Sequence, residues 1–151
     1  MSGFVPDTSC MVAALCAWHD DHASATSELN RRLSQRESMI LAAPALVEVY
    51  AVLTRLPPPH RLSPNDALRL LDSSFMSAGR TVALDAASYR GLLRQAATDA
   101  VAGGRAYDVV IARCALKGRA STLLTFNAKH FLSVSLPGID IVVPGSSSSL
   151  S

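Results

Sequence analysis

Long apolar runs are missing from this chain. The run from Cys10 to Trp18 covers nine residues, too short to span a bilayer. A basic n-region is also missing, and Asp7 interrupts the first apolar stretch, so no secretory signal is expected. A soluble, cytoplasmic protein without a membrane partner is the expectation. Cysteine is scarce: there are three, an odd number, with no CxxC pair and no histidine at zinc-motif spacing. A disulfide framework and a structural zinc are therefore not expected. Cys10, Cys16 and Cys114 lie in apolar stretches and read as small core residues of a reduced protein. An excess of one charge is lacking too, because the net charge is +2. No global field draws nucleic acid, so any such contact has to come from a local patch. Arg31, Arg32 and Arg36, or Arg55, His60 and Arg61, offer two, and both also fit ordinary solvated faces. Neither GxxxxGK[ST] nor GxGxxG occurs, which removes the P-loop and dinucleotide-binding readings. Internal repeats are not evident.

What is present is enough to fill one core. Of 151 residues, 49% are hydrophobic and 17% charged, which excludes wholesale disorder. One domain over residues 1–144 is expected, followed by a loose serine-rich tail over 145–151. Gly3–Pro6 reads as a short buried strand, and Asp7-Thr8-Ser9 offers capping oxygens to a helix carrying Met11, Val12, Leu15 and Trp18. A second helix is predicted over about Ala23–Arg36, and a strand over Met39–Ala43. Pro44 suits the first turn of the helix that follows. The prolines at 57–59 end it, because each lacks an N–H donor. Ser63 restarts a helix through about Met76, and Thr81–Leu84 reads as a strand. Asp85 caps a helix to about Val101, and Asp108 opens another that Gly118 stops. Strands are predicted over Ser121–Thr125 and Ile139–Val143, with a helical turn at Ala128–Phe131. Short β-rich runs alternating with longer helices give an α/β fold, a parallel sheet covered on both faces. In such sheets ligands bind beyond the carboxyl ends of the strands.

Four polar positions stand out against that pattern. Asp7 follows Phe4-Val5-Pro6, and Glu48 lies inside Leu46-Val47-Glu48-Val49-Tyr50. Asp108 precedes Val109-Val110-Ile111, and Asn127 follows Leu123-Leu124-Thr125-Phe126. Acids inside apolar segments are expensive unless paired or bound to metal. Each has a plainer explanation beside it. Asp7 and Asp108 can be helix caps, Glu48 can sit on the polar side of its helix, and Asn127 can be a turn residue.

Taken together, four stretches resemble the PIN-domain nucleases, and within them the VapC-type toxins of type II toxin–antitoxin systems. They are Val5-Pro6-Asp7-Thr8-Ser9, Ala43-Pro44-Ala45-Leu46-Val47-Glu48-Val49, Ala106-Tyr107-Asp108-Val109-Val110-Ile111-Ala112 and Leu123-Leu124-Thr125-Phe126-Asn127-Ala128-Lys129-His130-Phe131. The resemblance runs from about residue 3 to 143. It implies a three-layer α/β/α PIN-like fold with a central parallel sheet. It implies Asp7, Glu48 and Asp108 as metal-binding acids, with Asn127 as a fourth catalytic position. Many family members carry an acid there, and Asn127 adds no charge. Three formal charges suit one Mg²⁺ (or Mn²⁺) better than two. The implied activity is endoribonucleolytic hydrolysis by metal-activated water, which inhibits translation and growth. Thr125 and Ser9 are supporting candidates that can orient a water or phosphate, or simply bond to nearby backbone. The implied partners are an RNA substrate, a cognate antitoxin and a second copy of the chain.

Two other readings stay open at this level. One is a catalytically weak PIN module that binds RNA or regulates, for which Asn127 is the motive. The other is a phosphoreceiver domain, which ranks low because Glu48 falls inside a helix rather than after a central strand. His130 belongs to the matched stretch and is expected to pack near the site. Asp99 and Lys129 are expected mainly on solvated faces, and Arg113, on the helix that Asp108 opens, is a candidate for contacting RNA or a partner.

Overall fold

The computed structural model describes residues 2–146 and the backbone of 149–150. In chain order its elements are β1 Gly3–Pro6, α1 Thr8–Leu15, α2 His22–Ser34, β2 Ser38–Ala42, α3 Ala43–Arg55 and α4 Pro64–Leu71. They continue with β3 Arg80–Val82, α5 Ala86–Thr98, α6 Arg105–Lys117, β4 Thr122–Leu124, β5 Asp140–Val142 and β6 Ser149–Leu150. A π-helical turn, Asp72–Met76, prolongs α4, and a 3₁₀ turn, Ala128–Phe131, follows β4.

The strands lie in the order β3-β2-β1-β4-β5-β6. The first five are parallel, and β6 runs antiparallel to β5. Helices flank this sheet, the α/β architecture the alternation predicts. The central strands β1 and β4 are buried at every residue, as expected where both faces are covered. Register places Phe4 opposite Met39 on one side and Thr122 on the other. From β1 the chain crosses to β2 on one side, whereas β4 lies on the other. The β1–β4 seam is therefore the topological switch point, where such sheets open a crevice at their carboxyl ends.

Most predicted elements appear with boundaries shifted by one to four residues. Three differences carry physics. Helix α1 stops at Leu15 instead of running to Trp18, and the carbonyl of Ala13 at its end is taken by His22 Nδ1 at 3.0 Å. Trp18 thus lies in the connection to α2 and not on a helical stripe. Gly118 does cap α6, but with φ −75°, so it is not there for left-handed backbone. A Cβ at Gly118 would stand 2.9 Å from Ile40 Cγ2 and 3.3 Å from the Cys114 carbonyl, so close approach to the sheet is what selects glycine. The left-handed residue is Arg119, φ 60°. Finally, of the serine-rich end expected as a loose tail, residues 147, 148 and 151 lie outside the described residues. Ser149–Leu150 pairs with β5.

One apolar core links both sides of the sheet, with Phe4, Met11, Ile40, Leu41, Leu53, Leu123 and Phe131 almost wholly enclosed. The three cysteines are buried and free, as expected. No helix among the described residues is long and apolar enough to cross a membrane.

Candidate active site

Asp7 is the first residue past β1, and its amide still donates to the Leu124 carbonyl of β4 at 2.9 Å. Its backbone is extended, as an N-cap requires, and its carboxylate turns back over the start of α1. Oδ1 accepts from the Cys10 amide at 2.9 Å and from the Ser9 hydroxyl at 2.6 Å. The residue is 2% exposed. Burial pushes its pKa from 3.8 up to about 6, against hydrogen bonds from Ser9, Thr125 and Cys10 that favour the charged form; the nearby Asp108 charge adds to the rise. The capping reading of Asp7 holds, and the same carboxylate lines the cleft described below.

Ser9 and Thr125 form the frame around that carboxylate. While donating to Asp7, the Ser9 hydroxyl accepts from the Phe126 amide at 3.0 Å. Thr125 is fully buried one residue past β4, and its hydroxyl accepts from the Asn127 amide at 2.9 Å. These two side chains tie the ends of β1 and β4 together and set the path of the following turn. Asn127 leaves that turn exposed, just before the 3₁₀ turn.

Asp108 is not a cap. Helix α6 opens three residues earlier with Gly104 as its N-cap, so Asp108 sits in the first turn, where the helix dipole favours an acid. Its Oδ2 stands 3.2 Å from His130 Nδ1. Partial burial raises its pKa, opposed by His130 and Arg105. Glu48 comes from α3, which leaves β2 without an intervening loop. Pro44 starts the helix, and Val49 and Ala45 face the core. Glu48 is consequently turned aside from the core, half-buried.

These positions converge. Asp7, Ser9, Glu48, Asp108 and Asn127 all line one cleft of about 450 Å³ at the β1–β4 seam. Thr125 stands behind it. Two further polar residues of this cleft escaped the sequence reading, His19 and Asp21. They come from the polar linker His19-Asp20-Asp21-His22, where acids attract no notice. The Asp21 amide donates to His19 Nδ1 at 3.0 Å, and Asp21 precedes α2 without a side-chain cap bond. His130 is closer to the chemistry than packing implied, since it is the partner of Asp108. Asp99 lies elsewhere, bonded to Gln95. A larger cavity of about 610 Å³ adjoins through Glu48, but its other walls are Val47, Arg55, Tyr89, Tyr107 and small residues. Glu48 is its single acid, whereas the smaller cleft gathers Asp7, Asp21, Glu48 and Asp108.

Four acids in one cleft repel one another unless a cation joins them. Among the described residues, no three His, Cys, Asp or Glu side chains stand close enough to hold a metal ion by themselves. The donor set still suits Mg²⁺, which takes hard oxygens, needs one or two carboxylates and keeps several waters. Asp7 supplies the physical motive. It is a buried carboxylate that neutral water leaves poorly compensated, and a bound cation stabilises its charged form.

Comparison with known proteins places the whole fold. The PIN domain family model matches residues 4–135. Ribonuclease VapC40 of Mycobacterium tuberculosis is 42% identical over 120 residues, covering 80% of this chain and 83% of that protein. Ribonuclease VapC27 of the same organism is 34% identical over 137 residues, covering 91% and 93%. Among solved structures, VapBC2 from Rickettsia felis, bound to a DNA fragment from its promoter, matches with a TM-score of 0.65 at 20% identity, covering 94% of this chain and 98% of that one.

Proposed function

The chain belongs to the PIN domain family, and from that premise we propose that it is a Mg²⁺-dependent endoribonuclease, the toxin of a type II toxin–antitoxin pair. Its work is hydrolysis of RNA phosphodiester bonds, which halts translation and growth. The observation that carries this is the convergence of Asp7, Glu48, Asp108 and Asn127, from four separate stretches, on one cleft at the switch point. The relatives named as ribonucleases support the reaction class.

Asp7 and Asp108 are the residues that would hold Mg²⁺, or Mn²⁺ in its place, with Glu48 completing the acidic set. The ion would lower the pKa of a bound water and neutralise charge on the phosphate. Glu48, which makes no ion pair among the described residues, is placed to accept the proton of the attacking water. The Asn127 amide faces the same cleft and can donate to a phosphate oxygen without adding negative charge. Ser9 and Thr125 keep the Asp7 carboxylate in register. His130 holds Asp108 through its Nδ1, 3.2 Å from Oδ2.

A cognate antitoxin is the expected protein partner, and the match to a VapBC structure supports it. A basic side chain entering the acidic cleft is the simplest way for it to silence the enzyme. A second copy is expected on the apolar groove beside Glu48, where Val47 is 70% and Tyr107 62% exposed. The expected place of action is the cytoplasm, where the RNA is.

The deciding experiment is incubation of total RNA with purified protein in Mg²⁺, in Mn²⁺ and in EDTA, beside Glu48→Gln. Discrete metal-dependent products that vanish in the variant are expected. Cleavage that survives both chelation and the substitution would refute the metal-dependent assignment. The second reading, a catalytically weak RNA-binding module, is favoured by one observation: Asn127 contributes an amide, and no charge, to the cleft. Its outcome would be RNA binding without products in either metal.

A further inference from the structure

Trp18 is the one tryptophan in the chain, and the structure leaves it 48% exposed. A side chain of that size normally earns its place by burial. Here it projects from the α1–α2 connection and meets another ring from a distant loop. His60 stacks on it, with ring centroids 4.2 Å apart and planes inclined by 26°. His19, which lines the acidic cleft, is a tilted neighbour of the same ring, at 5.9 Å and 39°. The rings of His60, Trp18 and His19 thus form a continuous series that ends among Asp7, Glu48 and Asp108.

The series is held before anything binds. The His60 amide donates to the Pro57 carbonyl at 3.0 Å, Arg61 Nε donates to the Leu56 carbonyl at 2.8 Å, and the Leu62 amide donates to the Leu53 carbonyl at 3.1 Å. The prolines between have fixed φ, so little freedom is lost on binding. On the other side His19 is fixed by the Asp21 amide. Flat, pre-set aromatic surface beside a phosphodiester-cleaving cleft suits one ligand class. Single-stranded RNA splays its unpaired bases, and proteins receive them on aromatic side chains.

We propose that Trp18, supported by His60, is the stacking platform for an unpaired base of the RNA near the scissile phosphate. This rests on the ribonuclease reading above and deepens it: Trp18 sets the position of the cut relative to the base it receives. Trp18 is a specificity residue outside the metal-binding set. Stacking tolerates many bases, so the preference it imposes is for an unpaired nucleotide more than for one letter.

The lone tryptophan is its own probe. Glu48→Gln protein, which is expected to bind without cutting, is titrated with a mixed-sequence single-stranded RNA of about twelve nucleotides. Binding is followed by anisotropy of a label on the RNA, and stacking by quenching of Trp18 emission. Polyphosphate of matching charge is the control. Quenching by RNA and not by polyphosphate is expected. In the otherwise native chain, Trp18→Ala should raise KM for RNA cleavage roughly 10-fold with kcat little changed, and Trp18→Phe should restore most of the loss. RNA that binds and is cut without quenching, with KM unmoved in Trp18→Ala, would overturn the platform and leave the ribonuclease standing. No RNA binding and no cleavage at all would instead strike the ribonuclease reading itself. Loss of antitoxin capture in Trp18→Ala with RNA cleavage intact would reassign the surface to the protein partner and also overturn the proposal.

Discussion

One oxygen, Oδ1 of Asp7, accepts from both the Ser9 hydroxyl and the Cys10 amide, and the carboxylate it belongs to is enclosed. Its folded pKa of about 6 lies above the ordinary 3.8, so the folded state binds its proton more tightly than the unfolded chain does. The contribution of Asp7 to stability is therefore complete below about pH 4 and is lost as pH rises through about 6. A shift of this size corresponds to ~3 kcal/mol. Asp7→Asn keeps an acceptor at Oδ1 and removes the charge. In metal-free buffer at about pH 7.5 it should melt several degrees above the natural chain, and the gain should disappear near pH 4. Thermal melts at the two pH values check this; equal Tm at both would show that the buried charge is compensated by something else. Adding Mg²⁺ should raise the Tm of the natural chain at neutral pH and leave Asp7→Asn unmoved. At this scale the four marked residues were legible because polar groups inside apolar runs are conspicuous. His19 and Asp21 were not, since they sit among other polar residues and only the turn after α1 aims them inward. The pairing of His130 with Asp108 joins α6 to the 3₁₀ turn, and no local pattern announces it.

Elements were legible where backbone chemistry punctuates the chain. Pro44 marks the start of α3, the prolines at 57–59 its end, and Asp85 and Ser63 cap their helices as predicted. The stop of α1 was missed because Trp18 continues the helical spacing of Met11 and Leu15, and neither glycine nor proline stands between. What ends that helix is a bond from His22, which only the folded connection brings near. Gly118 teaches the opposite lesson: its place at a helix end was right and its reason was not. It makes room for Ile40 and Val82 of neighbouring strands. Gly118→Ala should therefore destabilise by about 1–3 kcal/mol, although alanine favours helices. Urea unfolding checks it, and an unchanged midpoint would mean that α6 can shift away from the sheet without loss.

For the molecule as a whole, the strand order places the acids. Adjacent carboxyl ends at the β1–β4 seam put Asp7 and Thr125 side by side, and α3 and α6, packed against each other, bring Glu48 and Asp108 to the same cleft. The alternation of strands and helices was enough to anticipate the parallel sheet, but the order of its strands, set by long-range pairing, was not legible. The adjoining apolar groove was not foreseen, because Val47, Tyr89 and Tyr107 lie in different helices and no single stretch looks like an interface. Under the proposed pairing of two copies on this groove, Val47→Asp should shift the protein from dimer to monomer in sedimentation at micromolar concentration, with its fold intact, because it places a charge in an apolar surface. An unchanged sedimentation coefficient matching a dimer would place the second copy elsewhere.

The enclosed carboxylate also has a bearing on how such a chain changes over generations. Under the proposed activity, replacing Asp7 by its amide frees the host from a poison and makes the protein more robust in the same step. Selection for growth and selection for a sturdier fold then point the same way. Disarmed copies should spread easily and persist as well-folded relics, and only continued benefit from the intact pair keeps the acid in place.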